Sequence, residues 1–145
     1  MRRLFVAVAL AFMLATAGFA CAPTKPPPPG CGPDHPISAE VFQMVNDARA
    51  QVGARQLAWN CAAGQFAHDW AVHIAQGDYR HSGGPYGENI WTTHCGITAA
   101  EIHFAYMTSP AHRANLLDSR YHSGGVGVAC NGATNVLGNA EEFAF

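Results

Sequence analysis

The sequence predicts an α+β fold in which a small antiparallel sheet packs against layers of helices. Two observations lead to this prediction. Segments with apolar residues at helical spacing alternate with short segments that are rich in β-branched and aromatic residues. Glycine, proline and helix-capping residues mark the ends of these segments, and they give the order helix, helix, strand, helix, helix, strand, strand.

The first two predicted helices each begin at a polar capping residue and end at a glycine. The first begins at Ser38, a residue type whose hydroxyl satisfies free amides at a helix start, and it ends at Gly53. The second follows Asn60 and ends at Gly77. Between the two helices, residues 57–59 form a short extended segment.

The second half of the chain predicts two more helices and the strands of the sheet. Thr98 and Glu101 form a capping box, in which each side chain accepts a hydrogen bond from the backbone amide of the other residue. Ser109 followed by proline restarts a helix. The predicted strands are Asn89–Trp91, Gly125–Ala129 and two short strands, Val136–Leu137 and Phe143–Phe145, around a turn at Gly138 and Asn139.

Residues 1–20 are predicted to be an export signal. Arg2 and Arg3 provide a positive start, an apolar run extends from Leu4 to Leu14, and small residues follow as far as Ala20. The apolar run is shorter than the ~20 residues that a membrane-spanning helix needs. We therefore expect a cleaved signal peptide rather than a retained anchor.

Cys21 is a candidate for lipid attachment after signal cleavage. The chain has five cysteines, and an odd thiol is unexpected in an oxidising compartment. Lipidation of Cys21 would leave an even number, although cleavage by an ordinary signal peptidase fits this site about as well. Residues 21–35 are accordingly interpreted as a lipid anchor or a proline-rich linker, and residues 36–145 as the folded domain.

Charge argues against a nucleic-acid partner. Loss of Arg2 and Arg3 with the signal leaves six Lys and Arg residues against ten Asp and Glu residues, a formal charge of −4. The six cations are scattered along the chain, whereas a nucleic-acid footprint needs a basic patch. We expect contact with a membrane only through the lipid anchor.

Several motifs, taken in order, resemble the CAP superfamily of cysteine-rich secretory proteins, antigen 5 and pathogenesis-related proteins, in its short bacterial form with an SCP domain. The resemblance covers about residues 37–130 and rests on Asn46, Arg49 and Gly53, on His81 followed by Gly87-Glu88-Asn89-Ile90, on Ser109 to Leu117 and on Gly125 to Ala129. It implies an α–β–α sandwich, with a three-stranded antiparallel sheet between helical layers and a cleft across one end.

The resemblance also implies which residues line this cleft. Carried over by motif, they are His81, Glu88, Asn89, Ser109 and His112. Some members of the family bind zinc or another divalent cation there, which makes His81 and His112 the candidate metal ligands. Neutral imidazoles are good zinc ligands, but two of them leave positions of the tetrahedron open.

The chain departs from the family pattern at two places. The acid that larger members carry after the third helix is absent, and Tyr106 replaces the usual tryptophan before it. The closing segment, residues 141–145, lacks the usual tyrosine- and glutamine-rich ending. These departures concern catalysis more than the fold.

The four remaining cysteines are disulfide candidates, since exported thiols tend to oxidise. Sequence alone allows three pairings of Cys31, Cys61, Cys95 and Cys130. The preferred pairing is Cys95 with Cys130 and Cys31 with Cys61. The alternative use of Cys95 and Cys130 as thiolate ligands of zinc is less compatible with export.

Three functions are compatible with these observations. The first is an extracellular binding module for a lipid, peptide or cell-envelope ligand. The second is a metal-dependent hydrolase that uses His81, His112 and Glu88, with Glu88 as the candidate catalytic base. The third is a disulfide-stapled envelope protein that acts only through contacts. We rank them in this order, and the sequence alone establishes no enzyme activity.

Overall fold

The computed structural model describes residues 32–33 and 35–145. The helices are α1 (Pro36–Gln51), α2 (Cys61–Ala75), α3 (Ala99–Thr108) and α4 (Pro110–Leu116). The strands are β1 (Ala58–Trp59), β2 (Gly87–His94), β3 (Ser123–Asn131) and β4 (Val136–Ala144). The predicted α+β order is therefore confirmed, and the short extended segment before α2 is an additional strand.

The strands form one four-stranded sheet in the order β1-β3-β4-β2. β3 pairs antiparallel with β4, and β4 pairs antiparallel with β2, which gives the three antiparallel strands that the family resemblance implies. β1 adds a parallel edge strand of two residues beside β3.

The two faces of the sheet pack against different helices. Side chains alternate along a strand, so Val126 and Val128 of β3 point to the opposite face from Gly127. The valines join the core cluster built with α1, α3 and α4, whereas Gly127 lies against the backbone of α2. This arrangement confirms the predicted α–β–α sandwich.

The close approach of α2 to the sheet explains one error of the sequence analysis. We expected a turn at Gly138 and Asn139, but β4 runs through both residues without a break. Gly138 has no side chain because a Cβ there would collide with the carbonyl oxygen of Ala71 on α2. Asn139 is buried on the opposite face, and its Nδ2 donates to the carbonyl of Gly127 at 2.8 Å. The turn lies earlier, at residues 132–135.

The helix caps follow the predictions with one correction. Asn60 caps α2 by accepting from the amide of Ala63, and Thr98 and Glu101 form the capping box of α3. The predicted cap of α1 at Ser38 is wrong, because the helix begins earlier, at Pro36. His35 is the capping residue, and proline is favoured directly after a cap because its φ angle already suits the helix.

Arg49 is a buried cation that ties α1 to the segment between α4 and β3. Its guanidinium donates to the carbonyls of Leu116, Asp118 and Tyr121 at 2.7–3.0 Å, and its Nε donates to the carbonyl of Arg55 at 2.8 Å. Burial lowers the pKa of Arg49, and the charge of Asp118 partly offsets this effect. The sequence marked Arg49 only as part of the family motif.

Cys95 and Cys130 form a disulfide, which is the predicted pairing. The bridge joins the end of β2 to β3 near the turn between β3 and β4. Cys61 is also disulfide-bonded. Its predicted partner, Cys31, lies outside the described residues, as does the predicted lipidation site, Cys21.

Candidate functional site

The loop that follows α2 places His81 beside Glu88 at the start of β2. Nδ1 of His81 lies 2.5 Å from Oε1 of Glu88. The side chain of His81 is 65% exposed, whereas that of Glu88 is only 7% exposed. Because Nδ1 faces a carboxylate, the neutral ring carries its proton on Nδ1 and presents the lone pair of Nε2 outward.

Two further hydrogen bonds hold Glu88 in its orientation. Both of its carboxylate oxygens accept from the amide of Ser82, at 3.0 and 3.1 Å. The hydroxyl of Ser82 in turn accepts from the amide of Gly84. The loop and the strand thus hold one another, and the position of the His81 ring depends on both.

His112 comes from α4, a different element from the loop that carries His81. Its ring stands edge-on to Tyr106, with centroids 5.2 Å apart, and its carbonyl accepts from Nδ2 of Asn89 at 3.1 Å. Burial lowers the pKa of His112, and the nearby charge of His81 lowers it further. The structure therefore brings the two predicted histidines into one electrostatic environment.

Asn89 anchors α4 to the sheet through a buried polar network. It follows Glu88 on β2 and so points to the opposite face. Its Nδ2 also donates to Oε2 of Glu141 at 2.9 Å, and its Oδ1 accepts from Asn115 at 3.0 Å. The hydroxyl of Tyr121 donates to Asn115 at 2.8 Å, which extends the network to the segment before β3.

Ser109 is the predicted cleft residue with the weakest structural connection to the others. It occupies the N-cap position of α4, as predicted, but its side chain makes no capping hydrogen bond. Its carbonyl accepts from the amide of Arg113. Among the described residues, no hydrogen bond joins its hydroxyl to His81, Glu88 or His112.

Three buried groups near the cleft were missed by the sequence analysis. Burial raises the pKa of Glu141 to about 8, and a hydrogen bond from Asn89 opposes this effect. Burial, together with Glu88, raises the pKa of Glu142 to about 9. The Tyr106 hydroxyl donates to Oδ1 of Asn139 at 2.5 Å, and burial followed by Glu141 raises its pKa well above the usual value.

A signal for the two glutamates was present in the sequence. They stand together inside an otherwise uncharged segment that ends in alternating aromatic residues, where acids are disfavoured in a strand. We interpreted them as a departure from the family ending rather than as part of the site. Tyr106 was interpreted as core, which its complete burial confirms, but its hydroxyl also belongs to the polar network.

The described residues do not form a complete metal site. In that part of the chain, no group of three or more His, Cys, Asp or Glu side chains is arranged to hold a metal ion. Nδ1 of His81 is occupied by Glu88, which leaves Nε2 of His81 and the ring of His112 as nitrogen ligands. Two ligands are fewer than zinc takes from proteins in structural or catalytic sites.

A groove on the helical side of the molecule lies between α1 and α3. It has a volume of about 470 Å³ and is lined mainly by Met44, Ala48, Phe104 and Met107. Phe104 is 68% exposed, as predicted. His103, predicted to be a solvated or edge residue, is instead half-buried, and burial lowers its pKa while Asp47 opposes the effect.

Solved structures share this fold at low sequence identity. An extracellular SCP-domain protein from Bacillus anthracis matches 74% of this chain and 39% of its own, with a TM-score of 0.59 and 15% identity. An outer surface protein from Borrelia burgdorferi matches 74% of this chain and 90% of its own, with a TM-score of 0.56 and 13% identity. The crystal structure of NaASP2 with Zn²⁺ matches 83% of this chain and 84% of its own, with a TM-score of 0.60 and 14% identity.

A curated relative and a family model identify the chain more closely. The pathogenesis-related protein PRMS from Zea mays is 49% identical over 54 residues, which are 36% of this chain and 32% of the maize protein. The match thus spans about a third of that relative. Within the described residues, no helix is both long and apolar enough to cross a bilayer. Because the model of the cysteine-rich secretory protein family, CAP, matches residues 42–143, the chain belongs to this family of extracellular and surface proteins.

Proposed function

We propose that the protein is an extracellular binding module that takes a lipid, peptide or cell-envelope ligand at the cleft between His81 and His112. One observation carries the proposal. The two imidazoles come from separate elements, yet consecutive residues of β2 hold both: Glu88 contacts Nδ1 of His81, and Asn89 donates to the carbonyl of His112. His81 is largely exposed beside a shielded carboxylate. A few convergent polar groups from separate elements are typical of ligand sites.

The chemistry of the cleft favours neutral polar groups on the ligand. His81, when neutral, offers the lone pair of Nε2, and the lowered pKa of His112 favours the neutral form of that ring. The carboxyls of Glu141 and Glu142 are fully buried, so no ionised acid from this pair reaches solvent. Amides, hydroxyls and headgroup oxygens are the ligand groups that such a surface would bind through hydrogen bonds.

A divalent cation is a second possible occupant of the same cleft. His81 and His112 would provide two nitrogen ligands, and water or a bound ligand would complete the coordination. This site would be weaker than a metal centre built by the chain alone. Zinc is therefore used below as a probe, beside organic probes.

Binding ranks above hydrolysis because of the surroundings of Glu88. A general base needs a free lone pair within reach of the reacting water. The oxygens of Glu88 already accept from His81 and from the amide of Ser82, and the carboxyl is shielded from solvent. No described residue near the cleft adds a third metal ligand to activate that water.

The decisive experiment is an NMR titration of the purified protein that follows the ring signals of His81 and His112. Three probes are used separately: Zn²⁺, vesicles of phosphatidylethanolamine and phosphatidylglycerol, and soluble peptidoglycan fragments. Saturable shifts of the ring signals and of the backbone amides of Ser82 and Asn89 with one probe would support the proposal, provided that the amide shifts disappear in His81→Ala/His112→Ala. A double variant at the exposed His94 and His122 is the matched control.

Either of two results would contradict the proposal. The first is that none of the three probes moves the ring signals. The second is that the control variant loses the shifts as completely as the cleft variant, which would indicate non-specific association of histidines. Turnover of a probe that stops in Glu88→Gln would instead support the hydrolase.

Attachment to a membrane through a lipid on Cys21 remains a prediction of the sequence. Mass spectrometry of the protein from the membrane fraction would detect the added mass of a diacylglycerol group. Cys21→Ser should move the protein to the soluble exported fraction. An unmodified Cys21 in membrane-associated protein would contradict the prediction.

A further inference from the structure

Glu141 and Glu142, two adjacent glutamates on β4, lie next to the residues of β2 that contact the two cleft histidines. In the antiparallel ladder with β2, Glu141 pairs with Asn89 and Glu142 pairs with Glu88. Consecutive strand residues point to opposite faces, so each glutamate meets its own partner and not the other. Each partner on β2 contacts one of the two cleft histidines. The ladder therefore gives each histidine a separate buried support.

The first support runs from Glu141 to His112. Oε2 of Glu141 accepts from Nδ2 of Asn89 at 2.9 Å, and the same nitrogen donates to the carbonyl of His112 at 3.1 Å. One amide group thus bridges the acid and the helix that carries the histidine. Because Glu141 is fully buried, water is excluded from its side chain and cannot take its place.

The second support runs from Glu142 to His81. Glu142 is also fully buried, and it faces Glu88, whose carboxylate contacts Nδ1 of His81. In the described part of the chain, no N–H or hydroxyl donor reaches either oxygen of Glu142, and its polar contact is with the carboxyl of Glu88. Glu142 thus lies opposite Glu88 in the ladder, and Glu88 in turn contacts the imidazole of His81.

The surroundings of the two glutamates favour their neutral forms. Burial raises the pKa of Glu141 to about 8 and, with Glu88, that of Glu142 to about 9. Tyr106 of α3 lies on the same face of the sheet as Glu141, and burial followed by Glu141 raises its pKa. Within the described residues, no lysine or arginine contributes to either shift. Both shifts favour the protonated form of the carboxyl.

We propose that Glu141 and Glu142 are positioning residues, each of which holds one cleft histidine through its partner on β2. The inference rests on the proposed function, because the surface that they position is the binding cleft. Glu141 and Glu142 lie in the segment that departs from the family pattern. The inference adds them to the residues of this chain that determine ligand affinity.

The test compares two substitutions at each position in the full chain. Glutamine keeps a neutral side chain with a donor and an acceptor, whereas methionine keeps the length but makes no comparable hydrogen bonds. Imidazole NMR reports the tautomer of His81 and the ring-current shift that Tyr106 imposes on His112. Glu40→Gln on the exposed surface of α1 is the matched control.

The proposal predicts a crossed pattern. Glu141→Met should lose the ring-current shift of His112 and leave His81 unchanged. Glu142→Met should mix the tautomers of His81 and leave His112 unchanged. Both glutamine variants should keep the signals of the parent, like the control. Where the NMR titration has identified a binding probe, each methionine variant should also weaken that probe by about tenfold or more.

Three results would overturn the proposal: methionine variants that leave both histidines unchanged, methionine variants that each disturb both histidines equally, or glutamine variants that disturb the rings as much as methionine does. If a methionine variant does not fold, the matching glutamine variant decides, because the proposal requires it to fold and to keep the parent signals. The ring signals need no ligand, so failure to find a binding probe would contradict the proposed function and leave this test intact.

Discussion

Glu142 faces Glu88 across the ladder between β4 and β2, and both carboxyls lie in the interior of the domain. The fold thus retains a proton that the unfolded chain would release. The pKa of Glu142 rises from 4.5 to about 9 on folding, and that of Glu141 rises from 4.5 to about 8. Between these values the folded state binds more protons than the unfolded state, so stability decreases as the pH rises.

We therefore expect the melting temperature to fall continuously from pH 7 to pH 9. The double variant Glu141→Gln/Glu142→Gln should lose this dependence and should melt above the parent at pH 9. His112 and His103, whose pKa values are lowered from 6.5, affect stability mainly below pH 7 and so leave this window clear. If the melting temperatures of parent and variant change equally with pH in thermal unfolding, the prediction is contradicted.

Replacement of the buried Arg49 should destabilise the fold. Lysine has no planar fork and cannot reach the four carbonyls that the guanidinium satisfies. We expect Arg49→Lys to lower the free energy of unfolding by about 2–4 kcal/mol, measured by urea denaturation. Arg120→Lys, at an exposed ion pair with Asp118, is the control and should change stability little. Similar effects at both sites would refute the buried role of Arg49.

A side chain at Gly127 should separate α2 from the sheet. A Cβ there would collide with the backbone of Ala67 and His68, and backbone cannot rotate away as a side chain can. We expect Gly127→Ala to cost at least about 1–3 kcal/mol in chemical denaturation. Gly132→Ala, where a Cβ meets open space, is the matched control and should be close to neutral. A tolerated alanine at Gly127 would mean that α2 packs less closely than described.

Removal of the disulfide between Cys95 and Cys130 should lower stability through the unfolded chain. The bridge closes a loop with a sequence separation of 35, which restricts the unfolded state. We expect Cys95→Ala/Cys130→Ala to lose about 2–4 kcal/mol of unfolding free energy. Thermal and urea unfolding under non-reducing conditions measure the loss. A variant as stable as the parent would show that the bridge constrains little in the unfolded state.

Local signals predicted most of the helical structure. The caps at Asn60 and at Thr98 with Glu101 require only the side chain of one residue and amides within the next turn, so they are readable in sequence. The misplaced start of α1 had a similar local cause. His35 can act as a cap before proline, but its ring is a less characteristic signal than the hydroxyl of Ser38.

The candidate cleft was predictable in part. The family motifs identified His81, Glu88, Asn89 and His112, and the structure brings these residues to the same end of the sheet. The supporting acids were not recognised, because Glu141 and Glu142 become part of the site only through their register with β2. Likewise, the sequence around Gly138 predicts a turn, and only the packing of α2 against β4 explains why glycine is needed there.

The sequence by itself determined the class of fold, the family and most of the helix ends, and it predicted the candidate cleft residues His81 and His112, since these depend on spacing and on short motifs. Only the tertiary structure decided that β4 is continuous, that Arg49 is buried among carbonyls, and that Glu141 and Glu142 are buried with raised pKa values. The physical reason is that close packing, burial and a raised pKa depend on the environment of a residue. Residues far apart in the chain form that environment.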